Sequence, residues 1–253
     1  MFSNLSNTDS FGVLAIFFAI FLGGVLKGAT GVGMPIVAIP VITAFYDIRL
    51  AVTILVVPNI LSNTLQIYKY RNYNLEPKFT RNFAIAGLLG AALGTMMLAY
   101  VPVDQLNILM ALIVLAYIVL RLTKPVFQLP LERAKKLAWF AGLSGGVLQG
   151  ALGISGPVSL TFLNAIKLNR SVFIFTISVF FIAMCVAQIP LLIAYGLMNV
   201  QTFVVGLLAF IPLLAGLPVG EMIGRRMNAV VFDRVILVLL SVLALKQIIG
   251  VLL

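Results

Sequence analysis

A glycine-rich stretch that occurs twice constrains this chain more than any other feature. It runs from Gly23 to Val37 as GGVLKGATGVGMPIV and returns 122 residues later, from Gly145 to Ser159, as GGVLQGALGISGPVS. Eight of the fifteen positions are identical without a gap, and they include a proline, Pro35 in the first copy and Pro157 in the second. Because glycines and a proline in register are not explained by apolar composition, the sequence predicts two copies of one structural unit.

The rest of the chain is apolar enough for a helical membrane protein. Of the 253 residues, 62% are hydrophobic and 9% are charged, whereas a soluble domain carries about 25% charged residues. Long apolar runs recur and do not alternate with polar residues, which favours membrane helices over a β-barrel. We therefore predict an all-α polytopic membrane protein that is embedded in a lipid bilayer.

The apolar segments fall into two groups of five. The predicted segments are 11–27, 34–46, 50–68, 82–100 and 105–121, followed by 137–149, 157–166, 171–195, 200–222 and 230–252. The second segment of each group is too short to cross a hydrocarbon core of about 30 Å easily at about 1.5 Å per residue. The predicted organisation is a first repeat at 1–122, a cytoplasmic linker at 123–136 and a second repeat at 137–253.

Basic residues lie almost entirely in loops on one side of this arrangement. If every segment reverses direction, the loops of one side hold 14 lysines and arginines, while those of the other side hold only Arg49. Since basic loops stay in the cytoplasm, the net charge of +10 reports topology and not nucleic-acid binding. Both termini are then extracytoplasmic, and five segments per half make the halves an inverted-topology repeat.

The duplicated motif predicts a broken helix that binds an anion. Proline is favoured at the start of a helix, so Pro35 and Pro157 should begin short helices after a glycine break, with Ser155 capping the second one. Two inverted copies would bring two helix N-termini together near the membrane centre, where free N–H groups favour a small anionic substrate. The candidate substrate-binding residues within the two motifs are Gly28, Thr30, Gly31, Gly33, Gly150, Gly153, Ser155 and Gly156.

Lys27 is the one charged residue inside the motif. A lysine within a membrane costs roughly 2.5–3.5 kcal/mol on insertion scales, so it needs a compensating role. Either it contacts the anion or its long side chain snorkels to the cytoplasmic surface. Its equivalent in the second copy is Gln149, a neutral hydrogen-bond donor, so the predicted site is asymmetric.

Four amides add to the candidate site. Asn59, Asn63 and Gln66 follow each other at i, i+4 and i+7, which places them on one face of a helix. Gln188 falls opposite Gln66 at the same offset that separates the two motifs. Hydrogen bonding between helices and lining of a cavity explain this pattern equally well.

No residue pattern indicates an enzyme or a metal site. The chain has no histidine, one cysteine and no phosphate-binding loop of the Walker type. We therefore predict no catalytic residues, no metal and no cofactor. Glu221, at the end of an apolar run, suggests either an ion pair with Arg225 or coupling to a proton, and coupling to another ion is also open.

At the duplicated motif the sequence resembles the sulfite exporter TauE/SafE family of bacterial membrane proteins. The residues that carry the resemblance are Gly23 to Pro40, their echo from Gly145 to Pro157, and Leu168 to Ser171. The resemblance covers nearly the whole chain, and Lys27 is not part of the general pattern. It implies a secondary transporter that exports sulfite or an organosulfonate across the bacterial inner membrane. The alternatives are a permease for another small organic anion and a non-transporting membrane subunit that assists an enzyme.

Overall fold

The computed structural model describes residues 10–123 and 128–226, and within them the chain is helical and contains no strand. The predicted segment 230–252 lies outside the described residues. The helices are α1 (Ser10–Thr30), α2 (Met34–Thr43), α3 (Ile48–Tyr70), α4 (Pro77–Tyr100), α5 (Val103–Thr123), α6 (Leu131–Leu152), α7 (Gly156–Ala165), α8 (Arg170–Ala194) and α9 (Val200–Arg226). The predicted all-α fold is confirmed.

Each copy of the motif breaks a helix as predicted. The chain leaves α1 through Gly31 and Gly33, whose φ angles are 90° and 115°, and it leaves α6 through Gly153, whose φ is 70°. Glycine adopts this left-handed backbone readily because it has no Cβ. Pro35 and Pro157 are the second residues of α2 and α7, each of which is 10 residues long. The predicted short helices after the breaks are therefore confirmed.

Five of the described helices are long and apolar enough to cross a membrane. The spans are Ile48–Tyr73, Pro77–Tyr100, Val103–Leu120, Arg170–Ala194 and Val200–Ile223. α2 is apolar but too short to span, and all 10 of its residues are buried in the protein. The chain is thus a multi-pass membrane protein.

α6 begins earlier than the sequence indicated. Its first residue is Leu131, so the end of the predicted linker 123–136 belongs to a helix. The first turns of α6 are charged, and Lys135 lies 2.8 Å from the carboxylate of Glu132 and 3.3 Å from that of Glu76. Long charged side chains at the end of a membrane helix can reach water. The charged residues in the first turns of α6 are therefore compatible with a helix, whereas they would be unfavourable in the middle of a membrane span.

The helices that carry the two motifs lie on opposite sides of a central pair. α3 packs against α8 in the middle of the molecule. On one side α9 contacts both α3 and α1, and on the other side α4 contacts both α8 and α6. The short α2 packs between α1 and α3, while α7 contacts α6 and α8.

Glycines bring α1 and α9 into backbone contact. A Cβ on Gly24 would overlap the backbone of α9, and so would a Cβ on Gly28. In return, a Cβ on Gly216 or Gly220 would overlap the backbone of α1. This is the close helix approach that small residues permit in membranes.

α4 and α6 meet in the same way. Gly90 and Gly94 of α4 press against the backbone of α6, and Gly146 and Gly150 of α6 press against the backbone of α4. The GxxxG spacing at Gly90 and Gly94 therefore serves packing within the chain.

Candidate functional site

Lys27 is buried in the interior and does not snorkel to the surface. Only 2% of the residue is exposed, and its ammonium Nζ donates a hydrogen bond to Oδ1 of Asn63 at 2.9 Å. The aromatic ring of Phe181 lies on another side, with its centroid 5.9 Å from Nζ. α1 thus presents the amino group of Lys27 to α3 and α8 within the protein.

An amide pair on α3 orients the acceptor of Lys27. Nδ2 of Asn63 donates to the backbone oxygen of Asn59 at 2.7 Å and to its side-chain oxygen at 2.8 Å. Because the amino group of Asn63 is used in this way, its Oδ1 faces Lys27. Nδ2 of Asn59 in turn approaches Sγ of Cys185 at 3.7 Å. The polar contacts therefore run from α1 through α3 to α8.

Lys27 has no carboxylate partner among the described residues. The ion pairs found there join Lys69 to Glu221 at 2.6 Å and Lys135 to Glu132 and Glu76. A lysine ammonium has three N–H donors, and the structure supplies Lys27 with one acceptor, Oδ1 of Asn63. A buried charge with no counter-charge is unfavourable, so this position suits a group that brings negative charge.

A small buried cavity lies where the two motifs meet. Predicted site residues from both copies line it, namely Gly33, Gln149, Ser155 and Gly156. The other lining residues are Val32, Pro35, Ile36, Ile154, Leu160 and Phe181. Oε1 of Gln149 has no hydrogen-bond partner although the residue is 4% exposed. The cavity therefore carries an unsatisfied polar atom at the starts of α2 and α7.

The two glutamines at equivalent positions have different surroundings. Nε2 of Gln66 donates to the backbone oxygen of Gly31 at 2.9 Å, and its Oε1 accepts from the hydroxyl of Ser178 at 3.0 Å. Gln188 is 1% exposed, and neither polar atom of its side chain has a partner. Gln66 thus holds the first break in place, whereas Gln188 leaves its hydrogen-bonding capacity unused.

The hydroxyl groups of the motifs serve local structure. Oγ1 of Thr30 lies 2.9 Å from the backbone oxygen of Leu26 and 2.7 Å from that of Val32, so it stabilises the break. Ser155 occupies the N-cap of α7 but makes no capping hydrogen bond, so the predicted side-chain cap is wrong. Its Oγ instead accepts from the hydroxyl of Ser159 at 3.1 Å. The N–H groups of Val158 and Ser159 already reach the backbone oxygen of Ser155, and Pro157 has no N–H to offer.

Several predicted glycines belong to helix contacts and do not line the cavity. Gly28 and Gly150 lie in the interfaces with α9 and α4. Gly31 packs against the side chain of Ile174, and Gly153 packs against Ile39 and Val52. These glycines position the cavity by fixing the two breaks.

Two residues of the site were missing from the sequence prediction. Phe181 lines the cavity and faces Lys27, and Cys185 is buried beside Asn59. Both could have been found from the sequence, because the offset between the motifs pairs Phe181 with Asn59 and Cys185 with Asn63. The face of α8 that matches the polar face of α3 was therefore identifiable.

Comparison with known proteins shows the family to which this chain belongs. The family model described as sulfite exporter TauE/SafE matches residues 16–247. The chain belongs to this family. TauE/SafE members are membrane transporters of the sulfite-exporter type and not enzymes. No curated protein and no solved structure matches the chain.

Proposed function

We propose that the protein is a secondary transporter that exports a small sulfur-containing anion, sulfite or an organosulfonate, across the bacterial inner membrane. The observation that carries this proposal is the buried ammonium of Lys27, which has no carboxylate partner in the described part of the chain. The ring of Phe181 contacts both this ammonium and the cavity between the motifs. A small anion at this place would supply the missing negative charge.

The proposed binding site combines both halves of the chain. Lys27 would provide the charge, and Asn59 and Asn63 would hold it in position through their hydrogen bonds. On the cavity side, Gln149 can rotate its amide to donate to an oxyanion, and the starts of α2 and α7 add their positive dipole ends. The other residues that line the cavity are apolar or glycine, apart from Ser155.

We also propose that residues 1–122 and 137–253 are inverted-topology repeats joined by a cytoplasmic linker, with both termini extracytoplasmic. The paired contacts support it, because α1 meets α9 through glycines as α6 meets α4. Moreover, Gly31 packs against Ile174 while Gly153 packs against Val52, a pair of contacts related by the offset of the motif. A C-terminal tag that is accessible in intact spheroplasts is the expected result.

Anion flux in proteoliposomes tests the proposed function. Purified protein would be reconstituted, and the efflux of radiolabelled sulfite, methanesulfonate and sulfoacetate would be compared with that from empty liposomes. We expect flux of at least one of the three, reduced roughly 10- to 100-fold in Lys27→Gln, because a hydrogen bond to a charged group contributes about 1.5–3 kcal/mol. Lys78→Gln is the matched control, since Lys78 is exposed in the first turn of α4.

The other outcomes separate the alternatives. Flux of carboxylates without flux of any sulfur anion would make the protein a permease for another small organic anion. No flux of any anion through correctly folded protein would favour a non-transporting subunit. Equal flux in wild type and Lys27→Gln at subsaturating substrate would remove Lys27 from the site.

A further inference from the structure

The surroundings of Lys27 also indicate how the transported anion is coupled to an ion. We propose that Lys27 binds a proton together with the anion, so that the protein moves one proton with each monovalent anion and the transport is electroneutral. This inference rests on the proposed function and adds the coupling ion to it.

The first argument is that the empty site does not favour a charged lysine. The side chain is buried, and its described surroundings offer one hydrogen-bond acceptor and one aromatic ring. A neutral amine can still donate to Oδ1 of Asn63, so loss of the proton leaves that hydrogen bond in place. An ammonium in the same place would leave two N–H donors without an acceptor. The neutral form therefore fits the empty site better.

The second argument is that an anion reverses this preference. An oxyanion beside Nζ supplies both the missing negative charge and acceptors for the remaining N–H groups. A group near an opposite charge favours its charged form, so anion binding and proton binding at Lys27 support each other. Mutual dependence of this kind is the thermodynamic requirement for coupled transport.

The other titratable and charged groups around Lys27 do not supply the counter-charge. α9 contributes Glu221, which pairs with Lys69 at the end of α3 and is partly exposed. From α8 they are Cys185, which contacts Asn59, and Arg170, whose guanidinium donates to the backbone oxygens of Gly28 and Ala29. α2 contains no titratable residue. Lys27 is thus the ionisable group best placed to respond to an anion.

Proton uptake on anion binding tests the proposal directly. Methanesulfonate is a suitable probe because it stays fully ionised at every pH used, so it cannot carry a proton itself. Wild-type protein in weakly buffered detergent solution should take up one proton per methanesulfonate bound, as measured with a pH-sensitive dye. In proteoliposomes, an acidic exterior should drive its accumulation, and a membrane potential alone should not.

Proton uptake measured in variants tests whether Lys27 is the group that binds the proton. In Lys27→Arg the charge is fixed, so methanesulfonate should bind without proton uptake and a membrane potential should now drive its movement. Should that variant fail to insert, Lys27→Gln should also bind no proton, and the wild-type stoichiometry stays decisive. Glu221→Gln removes the neighbouring carboxylate and should keep proton uptake at one per anion.

The outcomes also separate this inference from the function on which it rests. Methanesulfonate exchange that responds to membrane potential and not to a pH gradient would overturn the proton proposal and leave the transporter intact. Loss of proton uptake in Glu221→Gln would overturn the assignment to Lys27. Absence of both binding and exchange would overturn the coupling proposal together with sulfonate transport.

Discussion

The two copies of the glycine motif have similar backbones and different polar surroundings. In the first copy, Lys27 bonds to Asn63, and Gln66 bonds to the backbone at the break. In the second copy, Gln149 and Gln188 contain buried polar atoms without partners. The glycines and the proline that the two stretches share fix the breaks and the helix contacts, whereas the polar residue between them differs: Lys27 in the first stretch and the neutral Gln149 in the second.

The largest effect is expected from substitutions of the glycines that the two copies share. Gly28→Leu and Gly150→Leu should both prevent folding, because each side chain would push into the backbone of a neighbouring helix. Fluorescence-detected size-exclusion chromatography of membrane extracts measures the folded yield. Gly196→Leu is the control, since Gly196 has a φ of 69° but nothing within 4 Å of its Cβ position, so only strain of about 1–2 kcal/mol is expected. Normal yield of either motif variant would contradict the shared packing role.

A second prediction tests the part in which the copies differ. Moving the lysine with Lys27→Gln and Gln149→Lys should leave flux at least about tenfold below wild type, because Cys185 stands where the new ammonium needs an amide acceptor. Adding Asn63→Cys and Cys185→Asn should recover part of the flux by moving the acceptor as well. Proteoliposome flux per inserted molecule is the measurement. Full activity of the first double variant would show that the halves are interchangeable.

A third prediction compares the equivalent glutamines. Gln66→Leu should lower stability by about 1–3 kcal/mol, because it leaves the backbone oxygen of Gly31 and the hydroxyl of Ser178 without their partner. Gln188→Leu removes two polar atoms that have no partner, so its stability should be unchanged or higher. Thermal unfolding in detergent measures both. A larger loss in Gln188→Leu would mean that its amide is hydrogen-bonded in the membrane.

The smallest effects concern the two hydroxyl groups at the breaks. Thr30→Val should lower the melting temperature by about 2–4 °C, as expected for the loss of one hydrogen bond of about 1 kcal/mol. Ser155→Ala should change it less, because Ser155 makes no cap and Ser159 keeps the backbone oxygen of Ser155 as an acceptor. A larger drop for Ser155→Ala than for Thr30→Val in the same assay would show that Ser155 does stabilise α7.

The sequence predicted the features that depend on local chemistry. The helix breaks followed from glycine and proline, because left-handed φ angles and a missing N–H are properties of single residues. The fold class followed from the length and apolarity of the runs. The start of α6 at Leu131 was missed because the apolar run begins only after the last charged residue, Lys136. A helix can extend beyond its apolar part, and α6 does so.

The partners across the site could not be predicted from local patterns. The bond between Lys27 and Asn63 requires α1 and α3 to lie side by side, which depends on how the whole bundle packs. Phe181 and Cys185 lie within a long apolar run, so their residue types gave no sign of a site. Only the offset between the two motifs distinguishes them. Ser155 has the residue type and position of a cap, but its hydroxyl is taken by Ser159.

The glycine contacts between α1 and α9 and between α4 and α6 have a mechanical consequence. Where backbone meets backbone without intervening side chains, sliding would drive peptide groups into each other, so each pair should move as one stiff arm. α3 and α8 contact each other through side chains such as Gln66 and Ser178, which leaves room for a hinge between the arms. Spin-label distances should then stay constant within an arm and change between arms when the anion binds. Alternating access to the cavity would be a rocking motion whose pivot lies beside the lysine.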